Sequence, residues 1–97
     1  MTIEILDQAE LDLLDGFHFY EDQEAGLGAY FLTNLFSDIE SLRLYGGIHR
    51  KVLNGYHRLL SKRFPFAVYY KIRQETVFIY AILDCRKDPA WIRRRLS

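Results

Sequence analysis

The 97-residue chain is 49% apolar, 27% charged and without net charge, a composition that fits one domain able to bury a core without disulfide or metal staples. It has no run of about 18 apolar residues and no signal-like N-terminus, and its single cysteine cannot close an internal disulfide. A membrane span and a disulfide scaffold are thereby excluded. The expectation is a soluble, cytoplasmic, single domain over residues 1–97, stable by about 5–15 kcal/mol.

The zero net charge hides a division along the chain. Residues 1–48 carry ten acids against one base, Arg43, whereas residues 49–97 carry twelve bases against three acids, Glu75, Asp84 and Asp88. Two arrangements account for such a split. Either the molecule is dipolar and its basic side meets nucleic acid or an acidic protein, or an acidic helical layer is salt-bridged to a basic sheet.

Thr2-Ile3-Glu4-Ile5-Leu6 alternates apolar and polar and predicts a short first strand. Asp7 ends it and, with Glu10, resembles a capping box for a helix over roughly 8–23, whose inward stripe is Leu6, Ala9, Leu13, Phe17 and Tyr20. Asp12, Asp15 and Asp22 fall on the other face and are expected in solvent. Ala25-Gly26-Leu27-Gly28 interrupts this pattern. A second helix then runs to about Tyr45 on Leu27, Phe31, Leu35, Ile39 and Leu42, so that the two helices form an antiparallel hairpin. Gly46-Gly47 stops it, and 48–56 is a loop with an Asn54-Gly55 turn.

From His57 the period becomes twofold. His57–Arg63 and Phe66–Arg73 are strands joined at Phe64-Pro65, and Gln74-Glu75 turns the chain into Thr76–Cys85. The run Val77–Leu83 is apolar throughout, as in a strand buried on both faces at the centre of a sheet. Asp88 then Pro89 reads as an N-cap and first helical residue, opening a final helix with Trp91, Ile92 and Leu96 inward and Arg93, Arg94 and Arg95 largely outward. The order β-α-α-β-β-β-α predicts an α+β fold, a helical hairpin packed on a small antiparallel sheet.

Alternation places Arg58 and Lys62 on one face of the first hairpin strand, about 13 Å apart. With Arg63, Arg86, Lys87 and the Arg93–Arg95 cluster they predict a basic concave surface suited to phosphates or carboxylates. Asp84, about 6.6 Å from Arg86 on the same strand face, is expected to hold it. His18, His49 and His57 lack metal-ligand spacing, so no metal or cofactor is expected. Cys85 reads as a small apolar filler. Tyr56, Tyr69, Tyr70 and Tyr80 have rings that can stack on bases, although packing in a sheet already accounts for them. No Ser-His-Asp arrangement, phosphate-binding glycine loop or carboxylate pair can be argued.

Three stretches together, Tyr56-His57-Arg58-Leu59-Leu60, Arg63-Phe64-Pro65-Phe66-Ala67-Val68-Tyr69-Tyr70 and Ile82-Leu83-Asp84-Cys85-Arg86-Lys87-Asp88-Pro89, resemble the toxins of the RelE/ParE superfamily, small cytoplasmic proteins of bacterial type II toxin–antitoxin (plasmid stabilisation) modules. The resemblance covers nearly the whole chain and implies a cognate antitoxin, with a homodimer or a higher toxin–antitoxin assembly open. It also implies one of two targets. RelE-like members cleave mRNA in the ribosome, using basic residues on the sheet and a Tyr or a His-Tyr pair just after the last-strand Arg. That place holds Lys87-Asp88-Pro89 here, which supplies no ordinary acid or base. ParE-like members instead poison DNA gyrase by binding it. The departure favours a ParE-like binder that is not an enzyme and has no nameable catalytic residue. A RelE-like endoribonuclease and a non-toxic nucleic-acid-binding or degenerate domain are the alternatives. Arg58, Lys62, Arg63, Arg86 and Lys87 are then expected to meet the target, and Trp91, Ile92, Arg93, Arg94 and Arg95 the antitoxin. Phe36, Leu44 and Tyr45 exceed what the core needs and are expected to join Trp91 and Ile92 in an exposed apolar patch.

Overall fold

In the computed structural model, which describes residues 1–97, the apolar run Thr76–Asp84 forms strand β4, between β1 (Thr2–Ile5) and β3 (Phe66–Arg73), with β2 (His57–Leu60) outermost in the order β1-β4-β3-β2. Its interior place explains its composition. Val77, Ile79 and Ile82 enter one apolar cluster, and Ala81 and Leu83 another on the opposite face. The switch of parity comes from a bulge. Tyr69 pairs with Ala81 but Tyr70 with Ile79, leaving Tyr80 as the extra residue.

The element order is as the sequence predicts, but the sheet is mixed rather than antiparallel throughout, because β1 lies parallel to β4 in the register Ile3↔Val77 and Ile5↔Ile79. Alternation within a four-residue strand sets which face is buried and leaves its partner's direction open.

Helices α1 (Asp7–Glu21) and α2 (Leu27–Glu40) form the hairpin on one face of the sheet. They bury Ala9, Leu13, Tyr20, Phe31, Leu35 and Ile39 against Leu59, Phe66, Val68 and Tyr70. Gly16 permits the close crossing, since a Cβ there would lie 2.5 Å from Cζ of Phe31. The expected capping box does not form: Leu6 occupies the N-cap and no side chain caps it. Instead Glu21 reaches across the turn and accepts from the backbone N–H groups of Gly26 at 3.0 Å and Gly28 at 2.9 Å, serving the next helix. The second helix also breaks earlier than its stripe suggests, at Ser41, whose hydroxyl donates to the Asp38 carbonyl. Such back-bonding bends a helix, and Leu42–Tyr45 continues as the single turn α3.

The first hairpin strand ends at Leu60, not Arg63, because Ser61 N–H already bonds the Phe66 carbonyl and the chain turns through Phe64-Pro65. Helix α4 (Pro89–Leu96) opens as predicted, with Asp88 accepting from Ala90 N–H at 2.9 Å and Pro89 in the first turn. It lies on the second face, where Leu96 joins Tyr56, Ala67, Tyr69, Ala81 and Leu83. Asn54 donates to the Leu96 carbonyl at 2.8 Å and caps its far end. No helix is long and apolar enough to cross a membrane.

Candidate functional site

Arg58 emerges on the α4 side of the sheet because its neighbour Leu59 is drawn into the core on the other side. Its register partner is Tyr69. The turn after β4 brings Lys87 to the same place, held by a bond from its N–H to the Asp84 carbonyl. Arg93 arrives from α4. These three cations, with Tyr69 and Cys85, line a cavity of about 280 Å³ that no carboxylate enters. Its walls include the apolar side chains Leu53, Ile92 and Leu96, and the three cations themselves are exposed to solvent.

No histidine or carboxylate lines the cavity. Desolvation pushes the Cys85 thiol up, ahead of the pull of Arg58, so the sulfur stays protonated and weakly nucleophilic. Burial likewise raises the Tyr69 phenol. The arrangement can grip an anion but has neither a general base nor a poised nucleophile.

Of the residues expected at the target, Arg58 and Lys87 converge here, joined by Ile92 and Arg93 from the set expected to meet an antitoxin. Lys62 and Arg63 stay exposed in the turn after β2 and do not line the cavity. Arg86 points elsewhere. Asp84 holds it, as expected, by bonds of 3.0 Å to Nε and 2.7 Å to Nη2. The guanidinium also interacts with Tyr20, on the α1 side. The paired guanidinium holds the Asp84 carboxyl below the usual carboxylate range.

Two expectations for the C-terminal helix are corrected. Arg95 is not an outward charge: it donates to both oxygens of Asp12 at 2.9 and 2.8 Å. Asp12 is correspondingly not on a solvated face but 6% exposed, and its Oδ2 also accepts from Ile82 N–H at 3.0 Å, beyond the end of β1. The apolar patch is divided as well. Phe36, Leu44 and Tyr45 are exposed on α2 and α3, Leu44 by 83%, whereas Trp91 and Ile92 are half-buried against the α4-side cluster. Arg94 remains exposed and unpaired. A second cavity, of about 500 Å³, lies between α1, β4 and α4, with Phe19 and Trp91 as walls and Lys87 shared with the first.

A cluster that spacing did not reveal sits on the opposite face, at the outer edge of β2. Tyr70 Oη lies 2.6 Å from His49 Nδ1 and accepts from Gly47 N–H at 3.1 Å. The His57 ring stacks on Tyr70, and its Nδ1–H donates to the His49 carbonyl at 2.7 Å. Tyr70 is fully buried, so the cluster clamps the loop before β2.

The folded molecule pairs few of its charges across the division. Of its three ion pairs, Arg43–Glu40 lies within the acidic half and Arg86–Asp84 within the basic half. Asp12–Arg95 alone joins them. A salt-bridged acidic layer on a basic sheet is therefore not what the halves form.

Neither a protein-family model nor a curated protein matches the sequence. A chain of the structure described as the chromosomal ParDE TA system from P. aeruginosa is similar over 84% of this chain and 92% of its own, with a TM-score of 0.70 at 16% identity. The two chains share a fold. The likeness accords with the RelE/ParE-like architecture implied by the resemblance of residues 56–60, 63–70 and 82–89.

Proposed function

We propose that this chain is the toxin of a type II toxin–antitoxin module, kept silent by a cognate antitoxin, and that it acts by binding DNA gyrase rather than by cutting RNA. The observation that carries this reading is the cavity of Arg58, Lys87 and Arg93, which concentrates positive charge and is lined by no histidine or carboxylate that would serve as a general base. Such a site binds acidic surface and does no chemistry on it. The fold likeness to a chain of a ParDE TA system supports the general class.

The antitoxin proposed here carries an apolar run and an acidic segment. The first suits the exposed Phe36, Leu44 and Tyr45, and the second the free Arg93 and Arg94. Expression of the chain alone in bacteria should arrest growth with DNA damage and filamentation. Co-expression of a small protein encoded beside it, with a DNA-binding N-terminus and a disordered C-terminus, should restore growth. Growth unaffected by strong expression of folded protein would refute the toxin reading.

A further inference from the structure

Helix α4 covers only one end of its face of the sheet, over Ala67, Tyr69, Ala81 and Leu83. Beyond it, towards the β3–β4 turn, the same face carries Phe78 and Tyr80 from β4 and Lys71 and Arg73 from β3. Phe78 is only partly buried and belongs to neither apolar cluster. The bulge brings Tyr80 onto this face, where it meets Tyr56 edge to face at 5.3 Å. Two cations lie over these three rings. Lys71 Nζ lies 4.3 Å from the Tyr56 ring centre and 5.7 Å from that of Tyr80, and the Arg73 guanidinium lies 5.1 Å from Phe78.

We infer that this open end of the sheet is a binding platform for single-stranded nucleic acid. Phe78 and Tyr80 lie about 7 Å apart along the strand, a spacing at which a four-stranded sheet presents successive rings to successive unpaired bases. Lys71 and Arg73 lie over the ring faces and, being long and flexible, would swing aside for a stacking base and meet the backbone phosphate. Charge continues along the sheet through Arg58 on β2 and Lys51, bridged to His57, so a strand leaving the rings runs towards the basic cavity. Glu4, the register partner of Phe78, bounds the platform on the β1 side. A polyanion without rings would use the cations but would leave the two partly exposed aromatic side chains without stacking partners. This inference does not rest on gyrase as the target.

The test is fluorescence anisotropy of the purified protein with labelled oligothymidylate and oligouridylate of about a dozen nucleotides, against duplex DNA of equal length and a polyglutamate competitor. Binding should favour a single strand over the duplex, and Phe78→Leu and Tyr80→Leu should each weaken it by about tenfold. Circular dichroism should be unchanged in Phe78→Leu, since Phe78 packs into neither cluster, whereas Tyr80 packs against the α4-side cluster, so its variant is read only if its spectrum matches the wild type. Lys71→Ala should weaken binding and flatten its salt dependence. Tighter binding of the uridylate would assign RNA, and of the thymidylate DNA. Wild-type affinity in both aromatic variants, equal binding of the duplex, equal competition by polyglutamate, or no binding at low salt would each overturn the platform.

Discussion

Asp12 on α1 accepts both terminal guanidinium nitrogens of Arg95 on α4, and the same carboxylate holds the N–H of Ile82 where β1 no longer pairs with β4. One side chain thus joins the helical hairpin, the central strand and the last helix. Asp12→Ala would leave a buried N–H and a largely buried cation without partners, costing about 2–3 kcal/mol. Chemical denaturation of wild type and variant checks this; a loss below about 0.5 kcal/mol, as for an ordinary surface substitution, would show that the pair does not fasten α4.

The clamp on the loop before β2 should be pH-dependent. Burial, and secondarily the neighbouring His57, lowers the His49 pKa below its usual 6.5. Below that value the unfolded chain takes up a proton that the folded chain does not, so stability is retained above pH 6.5 and declines as pH falls towards the depressed folded pKa. His49→Gln should flatten the difference in melting temperature between about pH 7 and 5. An identical slope in both proteins would contradict the assignment. Tyr70→Phe should cost about 1–2 kcal/mol by releasing the bond from Gly47.

At the β3–β4 turn both central residues have positive φ, 50° at Gln74 and 61° at Glu75, a conformation that favours Asn-Gly in a two-residue hairpin. Replacing Gln74-Glu75 by Asn-Gly should stabilise the protein by about 1 kcal/mol. A lower melting temperature would show that the native side chains contribute contacts that outweigh the backbone preference.

What could be read from the sequence follows from the range of the interaction responsible. Val77–Leu83 announced a strand buried on both faces because its composition is a local consequence of its place. Asp88-Pro89 announced a helix start because a cap acts within two residues. Asp84 and Arg86 could be paired because they stand two residues apart, although the strand ends at Asp84 and the contact is made in the turn rather than along a strand face. Asp12 and Arg95 could not, because an ion pair spanning 83 residues leaves no trace in local periodicity. Nor could the His49–Tyr70–His57 cluster, whose contacts depend on how a loop folds over the sheet. The basic surface was visible as composition, but its division was not. Arg58, Lys87 and Arg93 meet, while Arg86 and Arg95 turn to carboxylates that no spacing rule could rank against solvent.

The antitoxin surface should divide in the same way. In the proposed complex, amides around Phe36, Leu44 and Tyr45 and those over residues 91–95 should exchange hydrogen more slowly than in the free protein, and association should slow as salt rises. Protection at neither region would refute the proposed surface. Protection confined to α4 would assign the exposed α2–α3 patch to another role.

The central claim is that the cavity of Arg58, Lys87 and Arg93 binds a target without chemistry, and a supercoiling assay with purified DNA gyrase tests it most directly. Wild-type protein should inhibit the enzyme, Arg58→Ala should weaken inhibition by at least tenfold, and translating ribosomes should show no cut mRNA. Undisturbed supercoiling together with mRNA cut on the ribosome by wild type and not by Arg58→Ala would contradict it.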